Sequence, residues 1–303
     1  MKRILIIGAT GTVGRSVISQ LPSEGLSLRA LTRNPPAANL PAHVQLFQGD
    51  LTNPSSLDSA LAGSDSVFLV WTAPPTSAAS AIPYIAARVP QIIFLSSPHQ
   101  TPHPFFRQPN PLANLHAEIE RLIQSSGIRW TFLRPGMFAA NSLHWWAPTL
   151  RADPNVTIIH WPYAEAPTAP IHEADIGAVA AHALLENTHS GKDYVLTGPD
   201  SLTQALQIQI LGEVLGRPLC LQEMSRAEAE RDLLPGIPRA AISMLLNAWA
   251  AALGQPAYVT DSVYNLTGTP ARSFRQWATD HAAAFGIGVA IHASAEGPTS
   301  VGL

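Results

Sequence analysis

The chain has 303 residues, of which 46% are apolar and 13% are charged, and its formal net charge is −3. This length fits one large domain or two modest ones, and this apolar fraction supplies a sizeable core. The slight acidic balance excludes a basic surface for nucleic acid and a cationic stripe for an anionic membrane. The single cysteine, Cys220, excludes an internal disulfide framework, and between Leu219 and Leu221 we expect it to be buried.

The apolar run near the start of the sequence covers residues 4–7 and ends at Gly8. A signal-peptide core needs about 7–15 apolar residues. A membrane span needs about 18 uninterrupted ones, which no window of the sequence supplies. We therefore expect a cytoplasmic protein that does not enter a membrane.

Short apolar runs alternate with longer amphipathic stretches over the first 135 residues. Buried strands are predicted at residues 4–7, 28–31, 44–47, 67–71, 92–95 and 130–133. Helical patterns separate them. The best marked helix begins at Asn110-Pro111, because Asn is a favoured N-cap and Pro a favoured first residue, and it stops at Gly127. This alternation predicts an α/β fold with a doubly wound parallel sheet, as in Rossmann domains.

The pattern changes after Pro135, where residues 141–173 are rich in Pro and Trp and show little periodicity. Further helices are predicted at residues 174–186, 203–215, 225–253 and 273–285, and a strand at residues 194–197. We predict an NAD(P)-binding Rossmann domain over residues 1–152. A smaller, mainly helical substrate lobe is predicted over residues 153–285, with residues near 174–198 packing back on the sheet. Residues 286–303 are predicted to form a disordered tail.

The strongest motif stands between the first predicted strand and the first predicted helix. It reads Gly8-Ala9-Thr10-Gly11-Thr12-Val13-Gly14. Gly8 permits a tight turn, Gly11 lets the backbone approach a pyrophosphate, and Gly14 allows the helix to pack closely on the strand. The helix N-terminus then presents unpaired N–H groups to an anion. We therefore predict a dinucleotide-binding loop, in which Thr10, Thr12 and Val13 accompany the three glycines.

The end of the second strand distinguishes NADPH from NADH. An NAD-specific site places an acidic residue there for the ribose hydroxyls, but this chain has Arg33. A guanidinium at that position pairs with the 2′-phosphate of NADPH, and Arg15 is placed to help. After the third strand, Asp50 is a candidate acceptor for the adenine amino group and Leu51 a candidate for backbone contacts. Asp50 has an alternative role as a cap for the following helix.

Four stretches carry a resemblance to a known family. They are residues 8–14 with Arg33, residues 125–136, residues 175–180, and the segment from residue 191 to residue 218. Together they resemble the NmrA-like atypical short-chain dehydrogenases, which include quinone-oxidoreductase-like enzymes. The resemblance implies a cofactor that lies across the strand ends. It places Thr72, Ala73, Ser96 and Pro135 near the nicotinamide.

Catalysis is the open question, because typical short-chain dehydrogenases use a Tyr-x-x-x-Lys pair. None of the five tyrosines is followed four residues later by Lys. Many relatives carry a Lys on the helix before the Ser-Gly turn, and this chain has His116 there. An imidazole titrates near neutrality, so His116 is a candidate proton donor or a ligand of the nicotinamide ribose. His99, after the fifth strand, is a rival donor, and a purely structural role for either histidine stays open.

The substrate pocket is expected to be apolar and aromatic. Its candidate residues are Phe138, Asn141, Trp145 and His172, and Phe105-Phe106 is a candidate lid. Flat side chains there would stack on a planar substrate. The alternative is that these rings only pack the two lobes together. Prolines around His99 and His103 forbid a helix that would bring both to a metal, so no metal site is predicted.

The sequence therefore predicts an NADPH-dependent reductase of a small, aromatic or quinone-like molecule. Two alternatives remain at this stage, namely a redox sensor that binds NADP(H) and regulates a partner protein, and a tailoring enzyme that runs a non-redox step. The pocket distinguishes them, since a deep aromatic cavity at the nicotinamide favours an enzyme and a filled one favours a sensor. The oligomeric state stays open.

Overall fold

A parallel sheet organises the N-terminal half of the computed structural model, which describes residues 1–153, 155–234 and 237–286. The strands within these ranges are β1 (Lys2–Ile7), β2 (Leu26–Thr32), β3 (Gln45–Gln48), β4 (Ser66–Val70), β5 (Gln91–Leu95), β6 (Arg129–Pro135), β7 (Ile158–Trp161), β8 (Pro167–Thr168), β9 (Lys192–Leu196), β10 (Leu202–Thr203) and β11 (Cys220–Glu223).

Seven of these strands form one sheet in the order β3-β2-β1-β4-β5-β6-β9, and all its pairs are parallel. In the register, Ile4 of β1 lies beside Leu28 of β2 on one side and beside Ser66 of β4 on the other. The order reverses direction at β1, and ligands of open α/β sheets bind at the carboxyl ends of the strands beside such a reversal. The predicted Rossmann fold is confirmed.

The helices within the same ranges are α1 (Thr12–Gln20), α2 (Asp58–Leu61), α3 (Ala78–Ala86), α4 (Pro111–Ser125), α5 (Ser142–Trp145), α6 (Ala147–Ala152), α7 (Glu173–Leu185), α8 (Gln204–Val214), α9 (Arg226–Asp232), α10 (Arg239–Ala252), α11 (Ser262–Thr267) and α12 (Phe274–Asp280). The Asn110 side chain accepts from the N–H groups of Leu112 and Ala113, so α4 begins as its sequence predicts. In the described part of the chain, no helix is long and apolar enough to cross a membrane.

One segment beyond residue 152 returns to the sheet. β9 pairs with β6 at its edge, and α7 packs against α1. The contact between the two helices depends on Gly177, because a Cβ there would lie 2.3 Å from the Ser16 hydroxyl oxygen. Residues 173–196 therefore belong to the sheet layer, while the boundary between the two predicted domains stays a prediction.

A second core lies beyond the sheet, among α6, α8, α9, α10 and α12. It is built around tryptophans, and Trp146, Trp249 and Trp277 are fully buried in it. The helix predicted over residues 225–253 is two helices in the structure, α9 and α10. Pro238 precedes α10 with an extended backbone, and a proline cannot continue a preceding helix because its ring removes the N–H donor.

The exposure of Cys220 differs from the sequence-based expectation. Leu219 is buried, but Cys220 at the start of β11 is exposed. Successive residues of an extended chain point to opposite sides, so an apolar neighbour on each side does not bury the residue between them. Of the predicted tail, Gly286 is described, and residues 287–303 lie outside the described residues.

Candidate active site

A cleft of about 620 Å³ runs along the carboxyl ends of the central strands. Its walls come from the predicted glycine loop, from the ends of β2 and β4, and from the segments after β3 and β6. The predicted cofactor residues that line it are Gly8, Thr10, Gly11, Thr12, Val13, Gly14, Arg33, Asp50, Leu51, Thr72 and Ala73. The structure thus brings together residues that are up to 65 positions apart in the sequence, from Gly8 to Ala73.

The glycine loop has the close contacts that its sequence predicts. Gly8 has a φ of +84°, in the region that favours glycine, and a Cβ there would lie 2.7 Å from the Val70 Cβ. A Cβ on Gly14 would lie 2.2 Å from the Gly8 carbonyl oxygen, so α1 sits directly on the turn. Gly11 is the N-cap of α1 and carries no side chain between the helix end and the cleft. This cradle fits a pyrophosphate bound to the helix N-terminus.

Two side chains at the adenine end differ in what they do. Arg33 is exposed and lines the cleft. Arg15, predicted to help it, does not line the cleft, because its guanidinium donates to the carbonyl oxygens of Thr10, Ala38 and Asn39 at 3.0, 2.8 and 2.6 Å. Arg15 therefore ties the glycine loop to the segment after β2. Arg33 is the cation left for a ligand phosphate among the described residues of this wall.

Asp50 lies in the cleft wall and also stabilises its own turn. Its Oδ1 accepts from the Thr52 N–H and the Thr52 hydroxyl, each at 2.8 Å. These two hydrogen bonds, the backbone one first, lower the pKa of the Asp50 carboxyl. The turn therefore accounts for the Oδ1 of Asp50. The predicted contact with an adenine amino group concerns the other carboxylate oxygen and stays a prediction.

A second cavity of about 420 Å³ adjoins the far end of the cleft. Val70, Leu95, Phe138 and Asn141 line both spaces, so the two are adjacent. Its remaining walls come from the segments after β4 and β5, from the start of α4 and from one face of α10. Ser96 and Pro135, predicted to contact the cofactor, line this cavity and not the cleft. We call it the substrate cavity below.

A buried ion-pair network lies behind one wall of the substrate cavity. Glu120 on α4 is 3% exposed, and the Arg134 guanidinium donates to both of its carboxylate oxygens at 2.9 and 2.6 Å. Ser96 donates to the same carboxylate at 2.6 Å, and the His99 Nε2 lies 3.4 Å from it. The network holds the segment after β5 against α4 and β6. His99 is part of this support and does not line either space.

His116 lines the substrate cavity, one helical turn before Glu120. Its ring meets Phe94 edge to face, with 5.5 Å between ring centroids. Burial, and then the charge of the neighbouring His99, lowers the pKa of His116 to about 4. The imidazole is therefore neutral at physiological pH. It has one N–H to donate, but it carries no extra proton for general acid catalysis.

Two predicted substrate residues lie elsewhere. Trp145 packs in the second core, with its ring centroid 5.6 Å from those of Trp161 and Trp249. His172 is 5% exposed and caps α7 by accepting from the Ala174 N–H at 3.1 Å. Neither lines the cleft or the substrate cavity. The Trp145 ring packs with other tryptophans of the second core, Trp161 and Trp249 among them.

Several residues of the substrate cavity were not singled out from the sequence as substrate contacts. Trp71 follows β4, Ser97 follows β5, and Met244, Leu245 and Ala248 belong to α10. The turn Pro104–Arg107 packs against α10, so Phe105 and Phe106 cover the cavity with it. The position of Trp71 directly after a buried strand is a sequence signal that could have placed it at the site. No such signal marks the residues of α10, because their position depends on how the second core packs.

The fold and the glycine cradle define a dinucleotide-binding Rossmann protein with an attached substrate cavity. The sequence matches the NmrA-like family over residues 1–261, and the chain belongs to that family.

Characterised relatives cover nearly the whole chain. It is 35% identical to a (4-alkanoyl-5-oxo-2,5-dihydrofuran-3-yl)methyl phosphate reductase of Streptomyces griseus subsp. griseus, over 93% of this chain and 99% of the relative. It is 32% identical to an NAD(P)H azoreductase of Xenophilus azovorans, with the same coverage. Among solved structures, it is similar to an NADPH-dependent quinone oxidoreductase of Escherichia coli complexed with NADPH. That match has a TM-score of 0.76 and 26% identity, and covers 91% of this chain and 99% of the other.

Proposed function

We propose that this protein is an NADPH-dependent reductase that transfers a hydride to a small, planar, conjugated substrate of the quinone or aromatic carbonyl type. The observation that carries the proposal is the apolar cavity that adjoins the far end of the dinucleotide cleft and shares four lining residues with it. An enzyme needs such a space beside the nicotinamide, whereas a sensor has no need of one. The reductase names of the relatives support the reaction class and differ in the acceptor.

The described residues fit the cofactor. The backbone from Gly8 to Gly14 would hold the pyrophosphate, because two of its glycines leave no room for a side chain. Arg33 would pair with the 2′-phosphate, and Thr72 and Ala73 would line the path toward the nicotinamide. When bound, NADPH supplies a hydride and thereby two electrons.

The substrate cavity then has three tasks. Its aromatic and aliphatic walls bury the flat acceptor against the shared residues Leu95 and Phe138, which adjoin the cleft. The same walls exclude water from the acceptor carbon, where the new C–H bond forms. The electron pair displaced by that bond moves onto the conjugated oxygen, and conjugation spreads this transient negative charge over the whole acceptor. Solvent protonates the oxygen when the product leaves the cavity. No Tyr–Lys pair is required, because conjugation stabilises the anion.

His116 contributes as a neutral group. Its burial keeps the ring from taking up a second proton at physiological pH, so its single N–H holds the acceptor oxygen by a hydrogen bond and does not protonate it. His99 has a positioning role, since its contacts go to Glu120 and to the Ser97 carbonyl oxygen at 2.9 Å. Ser96 likewise donates to Glu120.

The test is NADPH oxidation by the purified protein against a panel of quinones, azo dyes, aromatic carbonyls and simple aliphatic ketones. We expect turnover of the conjugated acceptors and none of the aliphatic ketones. Affinities for NADPH and NADP⁺ are measured in parallel. Tight binding of both nucleotides without turnover of any acceptor would overturn the reductase and favour a regulator that reads the redox state of the nucleotide.

A further inference from the structure

Three buried polar atoms around the substrate cavity have no hydrogen-bond partner within the described part of the chain. They are the Trp71 Nε1, the Ser97 Oγ and the His116 Nδ1. All three side chains line the substrate cavity, which is otherwise mostly apolar. Buried polar groups are almost always paired in folded proteins, and these three share one cavity, so a ligand in that cavity is the partner that could reach all of them.

The three groups have compatible hydrogen-bonding character. The Trp71 indole has an N–H and can only donate. The Ser97 hydroxyl donates or accepts, and the neutral His116 ring has one donor and one acceptor nitrogen. A ligand with oxygen acceptors can pair with all of them. Each atom is covered by its own surroundings, so a small rotation of the side chain has to accompany that pairing.

The charge of the cavity limits the ligand further. Among its described lining residues there is no Lys, Arg, Asp or Glu. Glu120, which accepts from the lining residue Ser96, is paired with Arg134. A ligand group that is already anionic before the reaction would lose its hydration on entering the cavity and gain no opposite charge from these lining residues, which is costly in an apolar site.

We propose that Trp71, Ser97 and His116 form a set of neutral polar groups that holds the oxygens of an uncharged carbonyl acceptor, and that the substrate cavity rejects anionic acceptors. This inference rests on the proposed reductase function and specifies its substrate class. It distinguishes this chain from the relative whose name specifies a methyl phosphate compound.

The test is binding of two probes to the protein saturated with NADP⁺, which has no hydride to transfer. Isothermal titration calorimetry compares 1,4-naphthoquinone, which is uncharged, with 1,4-naphthoquinone-2-sulfonate, which is anionic. We expect the uncharged probe to bind at least about tenfold more tightly. Trp71→Phe keeps the ring and removes the N–H, and Ser97→Ala removes the hydroxyl, so each should weaken binding of 1,4-naphthoquinone by about fivefold to tenfold.

The matched control is Trp146→Phe. Trp146 also has a buried indole nitrogen without a partner among the described residues, but its side chain packs in the second core and lines neither space. This variant should bind 1,4-naphthoquinone as the wild type does. Because two independent cavity variants are measured, the test still stands if one of them misfolds. An unchanged midpoint of thermal unfolding verifies that each variant is folded.

The outcomes separate the two proposals. If the wild type binds 1,4-naphthoquinone and both cavity variants bind it equally well, the polar set is wrong while the reductase proposal stands. Equal binding of the anionic probe overturns the proposed rejection of charge. If the wild type binds NADP⁺ but none of the conjugated carbonyl compounds in the turnover panel, the proposed substrate class fails, and the inference fails with it.

Discussion

The cofactor cleft and the substrate cavity adjoin each other, but they are built in different ways. The cleft centres on one continuous segment, Gly8 to Gly14, where the backbone itself makes the ligand site. The substrate cavity draws side chains from the segments after β4, β5 and β6 and from helices α4 and α10. A site made of backbone has a strict local sequence, whereas a site made of side chains from distant segments depends on the packing behind each wall.

The difference extends to what supports each region. The glycine loop is supported by direct contact between α1 and the turn, through Gly14 and the Gly8 carbonyl oxygen. The wall of the substrate cavity is supported by charged groups buried at Glu120 and Arg134. Changes in the two regions should therefore reduce stability and ligand binding to different extents. We make four predictions, from the largest expected effect to the smallest.

The largest effect is expected from Glu120→Ala. It removes the carboxylate that receives the Ser96 hydroxyl and the Nε and one Nη of Arg134, and leaves the buried guanidinium with its other Nη on Asp193 and Gln100. Breaking a buried ion pair on one side costs about 3–5 kcal/mol of stability. Urea denaturation measures the loss. Glu118→Ala on the same helix is the control, because its pair with Arg121 is exposed and should contribute nothing measurable.

The next effect concerns the glycine loop. Gly14→Ala places a Cβ against backbone atoms that cannot move aside, so we expect a loss of about 3 kcal/mol in stability and of NADPH binding with it. In Gly11→Ala the added Cβ would meet only an ordinary contact of 3.4 Å, so the protein should fold normally but bind NADPH at least about tenfold more weakly. Equal losses of stability in the two variants would contradict the different roles of these glycines.

Arg33→Ala tests the choice of cofactor. Removing the guanidinium should raise the Kd for NADPH about tenfold, or roughly 1.4 kcal/mol, and leave the Kd for NADH unchanged. Fluorescence titration with both nucleotides measures the change. Arg121→Ala removes an exposed arginine from the outer face of α4 and should affect neither nucleotide. A preference for NADH in the wild type that survives Arg33→Ala would overturn the assignment of NADPH.

The smallest effect concerns pH, because binding of 1,4-naphthoquinone should hardly depend on it. Because the pKa of His116 is lowered to about 4, the ring stays neutral from pH 8 down to about pH 5. Binding of 1,4-naphthoquinone should be constant over that range, because the ring keeps the same single N–H throughout. An imidazolium acid with an ordinary pKa would instead lose activity above about pH 6.5. The His116→Phe variant should bind 1,4-naphthoquinone more weakly at every pH of the range.

Local patterns in the sequence predicted the sheet, the glycine loop and the position of Arg33. These patterns suffice because a buried strand, a tight turn and a helix start each depend on a few neighbouring residues. The same reasoning predicted Trp145 and His172 in the substrate pocket, but neither side chain lines the cavity. Both follow β6 in the sequence, and one packs among tryptophans while the other caps α7. A side chain's type does not say which of two neighbouring cores it enters.

The sequence alone determined the family resemblance, the dinucleotide loop and the lack of a Tyr–Lys pair, since each of these is a matter of residue type at a short spacing. Only the tertiary structure decided that His116 is neutral and that Ser96 and His99 contact Glu120. It also decided that the polar atoms of Trp71 and Ser97 lie beside one cavity without a partner among the described residues. Burial and pairing decide these properties, and both depend on segments that are far apart in the chain.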